Sequence, residues 1–157
     1  MASGEFRYSI DTSALIEAFV RRYPPDIAPK MWDEWLPKLI EDERLFAAYD
    51  VLEDLSVRDD DIFKWAKLYD KMFVEIDRYE PELSQIMVDY PRLVDTRRNK
   101  SGSDPMVIAL AQSQALTVVS HEMGGSQNSP NIPFVCGKLD IRHINLLNLI
   151  REEGWVF

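Results

Sequence analysis

Phe6 to Ile10 is a short aromatic and apolar run that stops at Asp11-Thr12-Ser13. Leu15, Ile16, Phe19 and Val20 then recur at helical spacing. Three consecutive side-chain oxygens between a strand pattern and a helix pattern mark an N-cap. Arg21, Arg22 and then Pro24-Pro25 close the helix, because proline can neither donate nor fit in a helix interior. Strand, acidic turn and helix make the first half of an α/β unit. Such a unit asks the rest of the chain for further strands and for helices to cover them.

The remaining patterns supply both. Trp32, Trp35, Leu36, Leu39 and Ile40 share one helical face, with Pro37 predicting a kink or a break. Residues 24–44 read as a helical insertion. Leu45 to Tyr49 is a candidate second strand, followed by a helix from Asp50 through Leu55. Asp59-Asp60-Asp61 suits the start of a helix carrying Ile62, Trp65, Ala66 and Tyr69. Phe73 to Ile76 is a third strand candidate, and Leu83, Ile86, Met87 and Tyr90 form a helical face ended by Pro91.

Arg97 to Ser103 reads as a polar loop, after which Asp104-Pro105 opens a very apolar helix over Met106 to Leu110. Thr117 to Ser120 is β-branched and predicts a buried strand. Met123 to Pro133 reads as a loop, Leu146 to Glu152 as a helix stopped at Gly154, and Trp155 to Phe157 as a closing edge strand. The expected architecture is a single three-layer α/β/α domain over residues 1–157, with a central, mainly parallel sheet. Met1 to Glu5 are expected to be disordered or added to the native chain.

Composition narrows the function classes. Eighteen basic and 27 acidic residues give a net charge of -9, which excludes a generic basic nucleic-acid coat. A nuclease whose acidic site reaches phosphate through a metal remains open. Cys136 is the single cysteine, so no intramolecular disulfide can form, and no zinc-ligand spacing occurs. The longest apolar run, Met106 to Ala111, is far too short for a membrane span, and the N-terminus lacks signal-peptide character. A cytoplasmic protein without a membrane partner is expected.

In a parallel α/β sheet, strand C-termini and helix N-termini converge on one edge, where ligands bind. Asp11, Asp104 and Glu122 fall at such positions, and a fourth acid comes from Glu53 or Asp54. Carboxylates gathered there repel one another unless a cation neutralises them, and oxygen ligands favour Mg²⁺ or Mn²⁺. Acids also gather in first helical turns for dipole reasons alone. Spacing by itself therefore does not separate a metal site from helix capping.

Four segments carry a resemblance. Ser9-Ile10-Asp11-Thr12-Ser13-Ala14-Leu15-Ile16 resembles the opening motif of PIN-domain ribonucleases, the fold of VapC toxins. Val51-Leu52-Glu53-Asp54-Leu55 is similar to the second motif of that family, and Ser103-Asp104-Pro105-Met106-Val107-Ile108-Ala109-Leu110-Ala111 to the third. Val118-Val119-Ser120-His121-Glu122 is similar to the fourth. They occur in the family's order across nearly the whole chain. The insertion after Pro24 and the stretch Ile132-Pro133-Phe134-Val135-Cys136 resemble a less-characterised branch with a helical insertion.

The resemblance implies a Mg²⁺- or Mn²⁺-dependent endoribonuclease, the toxin of a toxin–antitoxin pair. Asp11 and Asp104 would hold the metal most directly, with Asp54 (or Glu53) and Glu122 completing the site. Water would be the nucleophile, leaving a 5′-phosphate and a 3′-hydroxyl. Two positions depart from the family. The acid before the leucine of the second motif is usually glutamate and here is Asp54, with Glu53 one position earlier and about 100° away around the helix. The fourth acid is usually aspartate and here is Glu122.

Thr12 and Ser13 are candidates for anchoring Asp11 or touching a phosphate, or for simple helix capping. Arg97, Arg98 and Lys100 form the best local basic patch for RNA, or else a solvated loop. His121 is a candidate general base that metal-dependent hydrolysis does not require, and His143 reads as an ordinary strand residue. The resemblance further implies a cognate antitoxin, whose basic segment the acidic balance would suit, and a homodimer. Trp32 to Ile40 is a candidate dimer interface, or else core. Two other readings compete: a catalytically inactive PIN-fold RNA- or protein-binding module, and a receiver-type signalling domain. The second lacks the paired acids after the first strand and the late lysine that phosphoacceptor chemistry needs.

Overall fold

The computed structural model of the chain describes residues 6–94 and 102–157. Strands β1 (Tyr8–Ile10), β2 (Leu45–Ala48), β3 (Phe73–Val74), β4 (Thr117–Val119) and β5 (His143–Ile144) form one sheet in the order β3-β2-β1-β4-β5. Every pairing is parallel. Helices flank the sheet, giving the expected three-layer α/β/α arrangement. Strand order reverses between β1 and β4, where Ile10 lies opposite Val119. A parallel sheet opens its ligand crevice at such a reversal, because the connections leave the two strand ends in opposite directions. Asp11 follows β1 there, and Ser120 to Glu122 follow β4.

The helix after β1 begins as α1 (Thr12–Ile16) and widens into a π-type segment over Glu17–Arg22. In the insertion, a π-type turn over Met31–Trp35 passes into α2 (Leu36–Glu41). Pro37 sits at that junction, where its missing donor and its ring are accommodated by the change of hydrogen-bond register. Next come α3 (Tyr49–Arg58), α4 (Asp60–Leu68) and α5 (Glu80–Asp89). The central helix α6 (Asp104–Gln114) packs on β1, β2 and β4 and against α5. It buries Val107, Ile108, Ala109, Leu110 and Ala111 in one unbroken run, as a helix covered on all sides must.

The insertion is part of the core. Trp32, Leu36, Leu39 and Ile40, the candidate dimer face, are buried within this chain. Trp32 meets Phe19 and Trp65 edge-on at centroid distances of 4.8 and 4.9 Å.

Two expectations are corrected. Trp155 to Phe157 form no strand; the sheet edge is β5. Helix α8 (Leu146–Glu153) ends at Gly154 in the left-handed region (φ 72°), and the Trp155 amide reaches back to the Ile150 carbonyl at 3.1 Å. The turned-back tail lays Trp155 on Trp35 and Phe157 on Tyr23, at centroid distances of 5.3 and 5.2 Å. Aromatic stacking on the insertion thus replaces edge pairing.

The predicted loop from Met123 also ends early, because α7 (Ile132–Lys138) starts within it. Asn131 caps that helix by accepting the Phe134 amide at 3.2 Å, and Pro133 occupies its first turn. Asn131→Ala is expected to cost about 1 kcal/mol of stability, as loss of a cap does. An unchanged urea midpoint would show that the cap contributes nothing. Among the described residues, no helix is long and apolar enough to cross a membrane.

Candidate metal centre

The first acid is set by the end of β1. The Asp11 amide bonds the Val119 carbonyl at 2.9 Å, tying the turn to β4. Its carboxylate then turns inward to cap α1, Oδ2 accepting from the Ser13 amide at 3.2 Å and from Ser13 Oγ at 2.6 Å. Oδ1 is buried and, among the described residues, has no hydrogen-bond partner. Only 2% of Asp11 is exposed. Burial pushes its carboxyl up to about 6, with the Glu122 charge adding to the rise and Ser13 opposing it.

Asp104 begins α6 with Pro105 behind it, and it too is 2% exposed. Its position in the first helical turn favours a negative charge. Glu122 comes from the segment after β4, half-buried, with Oε1 accepting the Ile132 amide at the start of α7 at 3.1 Å. One ligand oxygen from each of Asp11, Asp104 and Glu122 lies within 4.8 Å of the other two. Bare, each like-charged pair at that range would cost roughly 3 kcal/mol at an effective dielectric near 20.

The donor set is carboxylate oxygen throughout, two of its members are buried, and Oδ1 of Asp11 is already desolvated and unmatched. These features fit a hard cation, and the triad can hold a metal ion.

The second-motif acids separate cleanly. Glu53 is exposed on α3, while Asp54 is half-buried. Asp54 Oδ2 accepts the Thr12 hydroxyl at 3.0 Å and the Ser103 hydroxyl at 2.6 Å. Asp54 therefore lies outside the triad but grips the residue after Asp11 and the residue before Asp104. Thr12 is buried and committed to that bond. Ser13 donates to Asp11 and accepts the His121 amide at 2.9 Å, so one hydroxyl joins the first and fourth motifs.

The His121 Nε2 lies 3.6 Å from Glu17 Oε1. His143 lies in β5, bonded through Nε2 to Ser120 Oγ at 2.6 Å, and burial lowers its pKa. Arg97, Arg98 and Lys100 lie outside the described residues.

Sequence reasoning missed Ser103 and Glu17. Ser103 was visible as a hydroxyl just before a helix-opening acid. Glu17 was visible as an acid four residues ahead of Arg21, an ordinary helical ion pair. Its other partners are spatial. No curated protein matches the chain. A family described as a domain of unknown function (DUF4411) matches residues 8–157, from the first residue of β1 to the end of the chain and including all three acids of the triad, and the chain belongs to that family.

Proposed function

We propose that this protein is a Mg²⁺- or Mn²⁺-dependent endoribonuclease that hydrolyses RNA phosphodiesters, a PIN-type toxin of a VapBC-like pair. The observation that carries this reading is the buried Oδ1 of Asp11, without a hydrogen-bond partner among the described residues, on a carboxylate grouped with Asp104 and Glu122 at the sheet's reversal point. Asp11, Asp104 and Glu122 would hold the cation. When bound, the cation supplies Lewis-acid stabilisation of phosphate charge and makes water a better nucleophile at neutral pH.

The chain's own residues position the acids. Ser13 fixes Oδ2 of Asp11, while Oδ1 is buried without a hydrogen-bond partner among the described residues. Asp54 holds the Thr12 and Ser103 hydroxyls, which sets the spacing of the two aspartate-bearing turns. A cognate antitoxin with a basic segment, complementing the net charge of -9, and a homodimer belong to the same reading.

The test incubates inhibitor-free protein with total cellular RNA in Mg²⁺, Mn²⁺ or EDTA, beside Asp11→Ala and Asp104→Ala. Discrete cuts with 5′-phosphate ends are expected, requiring metal and falling roughly a hundredfold or more in either variant. Cleavage that persists in EDTA would sink the metal mechanism. Folded protein that binds metal but cuts no RNA would favour the non-catalytic PIN-fold module. The observation favouring that alternative is Asp54, whose short carboxylate is already occupied by two hydroxyls.

A further inference from the structure

Beside the triad opens a cleft of about 490 Å³, lined by Glu122 itself and by Ala14, Glu17, Arg22, His121 and Asn148 among others. Glu17 lies at its wall and is only 8% exposed, an unusual burial for an acid. Two arginines and a histidine surround its carboxylate. Oε2 accepts Arg22 Nε at 2.8 Å, while Oε1 lies 3.4 Å from Arg21 Nη1 and 3.6 Å from His121 Nε2.

The backbone makes this gathering possible. In an α-helix, Arg22 would project about 140° around the axis from Glu17. The π-type register over Glu17–Arg22 stacks residues five apart, so both arginines reach the same carboxylate. Two guanidinium groups against one carboxylate leave the cluster net positive in a strongly acidic protein. All three remain open to solvent: the side chains of Arg21, Arg22 and His121 are 72%, 57% and 45% exposed. His121 directly precedes Glu122, and its amide shares the Ser13 hydroxyl that bonds Asp11.

We propose that Arg21, Arg22 and His121, gathered by Glu17, form the anchor for a backbone phosphate of a single-stranded RNA flanking the bond cut at the triad. Glu17 is the positioning residue: it holds both guanidinium groups and the imidazole together beside the cleft that Arg22 and His121 line. The Arg22 guanidinium beside Glu17 keeps that carboxyl below its ordinary range. The anchor compensates for an overall charge that would otherwise repel the strand.

This inference rests on the nuclease reading, and the experiment separates the two. Binding of a short labelled single-stranded RNA is measured by fluorescence anisotropy in Ca²⁺ across a salt series, with cleavage followed separately in Mg²⁺ or Mn²⁺. The paired substitution Arg21→Gln with Arg22→Gln removes the charge but keeps hydrogen-bonding groups for Glu17. Arg58→Gln, on an exposed residue at the far end of α3, is the control.

The paired variant is expected to bind roughly tenfold more weakly, with the slope of log affinity against log salt reduced by about 0.7, as loss of one phosphate contact on a single strand requires. In cleavage, KM should rise with kcat little changed. Arg21→Gln alone, altering the more exposed arginine, should show about half the slope change and guards against misfolding of the pair. Wild-type protein that cuts RNA while both variants match it in affinity and salt slope would overturn the anchor and leave the nuclease reading standing. Wild-type protein that neither binds nor cuts RNA would overturn both.

Discussion

Replacing Asp11 with asparagine is expected to raise the melting temperature of the metal-free protein while abolishing any stabilisation by Mg²⁺ or Mn²⁺. Asp11 buries a charge with one oxygen unmatched and two other carboxylates within reach, an arrangement that favours ligand binding at the expense of stability. Its carboxyl titrates near 6 in the folded chain and near its ordinary value when unfolded. The folded state therefore holds a proton through the window from about pH 4 to 6 that the unfolded state has released. Stability from this group falls as pH rises through that window, and the full penalty remains at neutral pH.

Asparagine removes the charge and keeps an oxygen for Ser13. A gain on the order of 1–2 kcal/mol, or about 2–8 °C for a chain of this size, should follow at pH 7.5 and shrink towards pH 5. Differential scanning fluorimetry in EDTA and in each metal reads both effects. A metal-free variant that melts below wild type at neutral pH would show that Asp11 is retained for structure. Wild-type protein unmoved by millimolar metal would remove the cation from the account.

The largest loss of stability is expected from Trp32→Ala. Trp32 is 1% exposed, donates Nε1 to the Tyr23 carbonyl at 2.7 Å, and has Phe19 and Trp65 packed edge-on to its ring. Its own carbonyl accepts Trp65 Nε1 at 2.8 Å. Truncation leaves a cavity and an unmatched carbonyl, a cost of about 3–5 kcal/mol. A domain of ordinary stability, roughly 5–15 kcal/mol, would be left marginal. Trp35→Ala removes a half-buried ring stacked on Trp155 and should cost only about 1 kcal/mol. Urea unfolding of the two variants compares them directly. Equal midpoints would mean that the insertion is an accessory docked on the domain rather than part of its core.

How far each feature could be read from the chain follows from the range of the interactions behind it. Periodicity located β1 to β4 and the helical faces other than that of α7, because alternation and helical spacing are local consequences of which side is buried. The same local logic marked Asp11 as a cap and Asp104 as a helix opener. It erred where a local preference met a distant partner. Trp155 to Phe157 carry strand-forming residues, but Gly154 turns them onto Trp35 and Tyr23 before they can reach the sheet edge. Glu53 and Asp54 were indistinguishable by composition. The hydroxyls of Thr12 and Ser103, from two other segments, draw Asp54 inward and leave Glu53 in solvent.

By itself, then, the sequence determined an α/β/α chain with acids at the strand ends, since hydrophobic period and capping chemistry act within a few residues. Tertiary structure alone decided that Asp11, Asp104 and Glu122 meet. Their approach depends on the order β3-β2-β1-β4-β5, which sets β1 beside β4. It alone decided, too, that Glu17 gathers Arg21, Arg22 and His121. That cluster needs a π-type register and a strand end from more than a hundred residues away, and no local pattern encodes either.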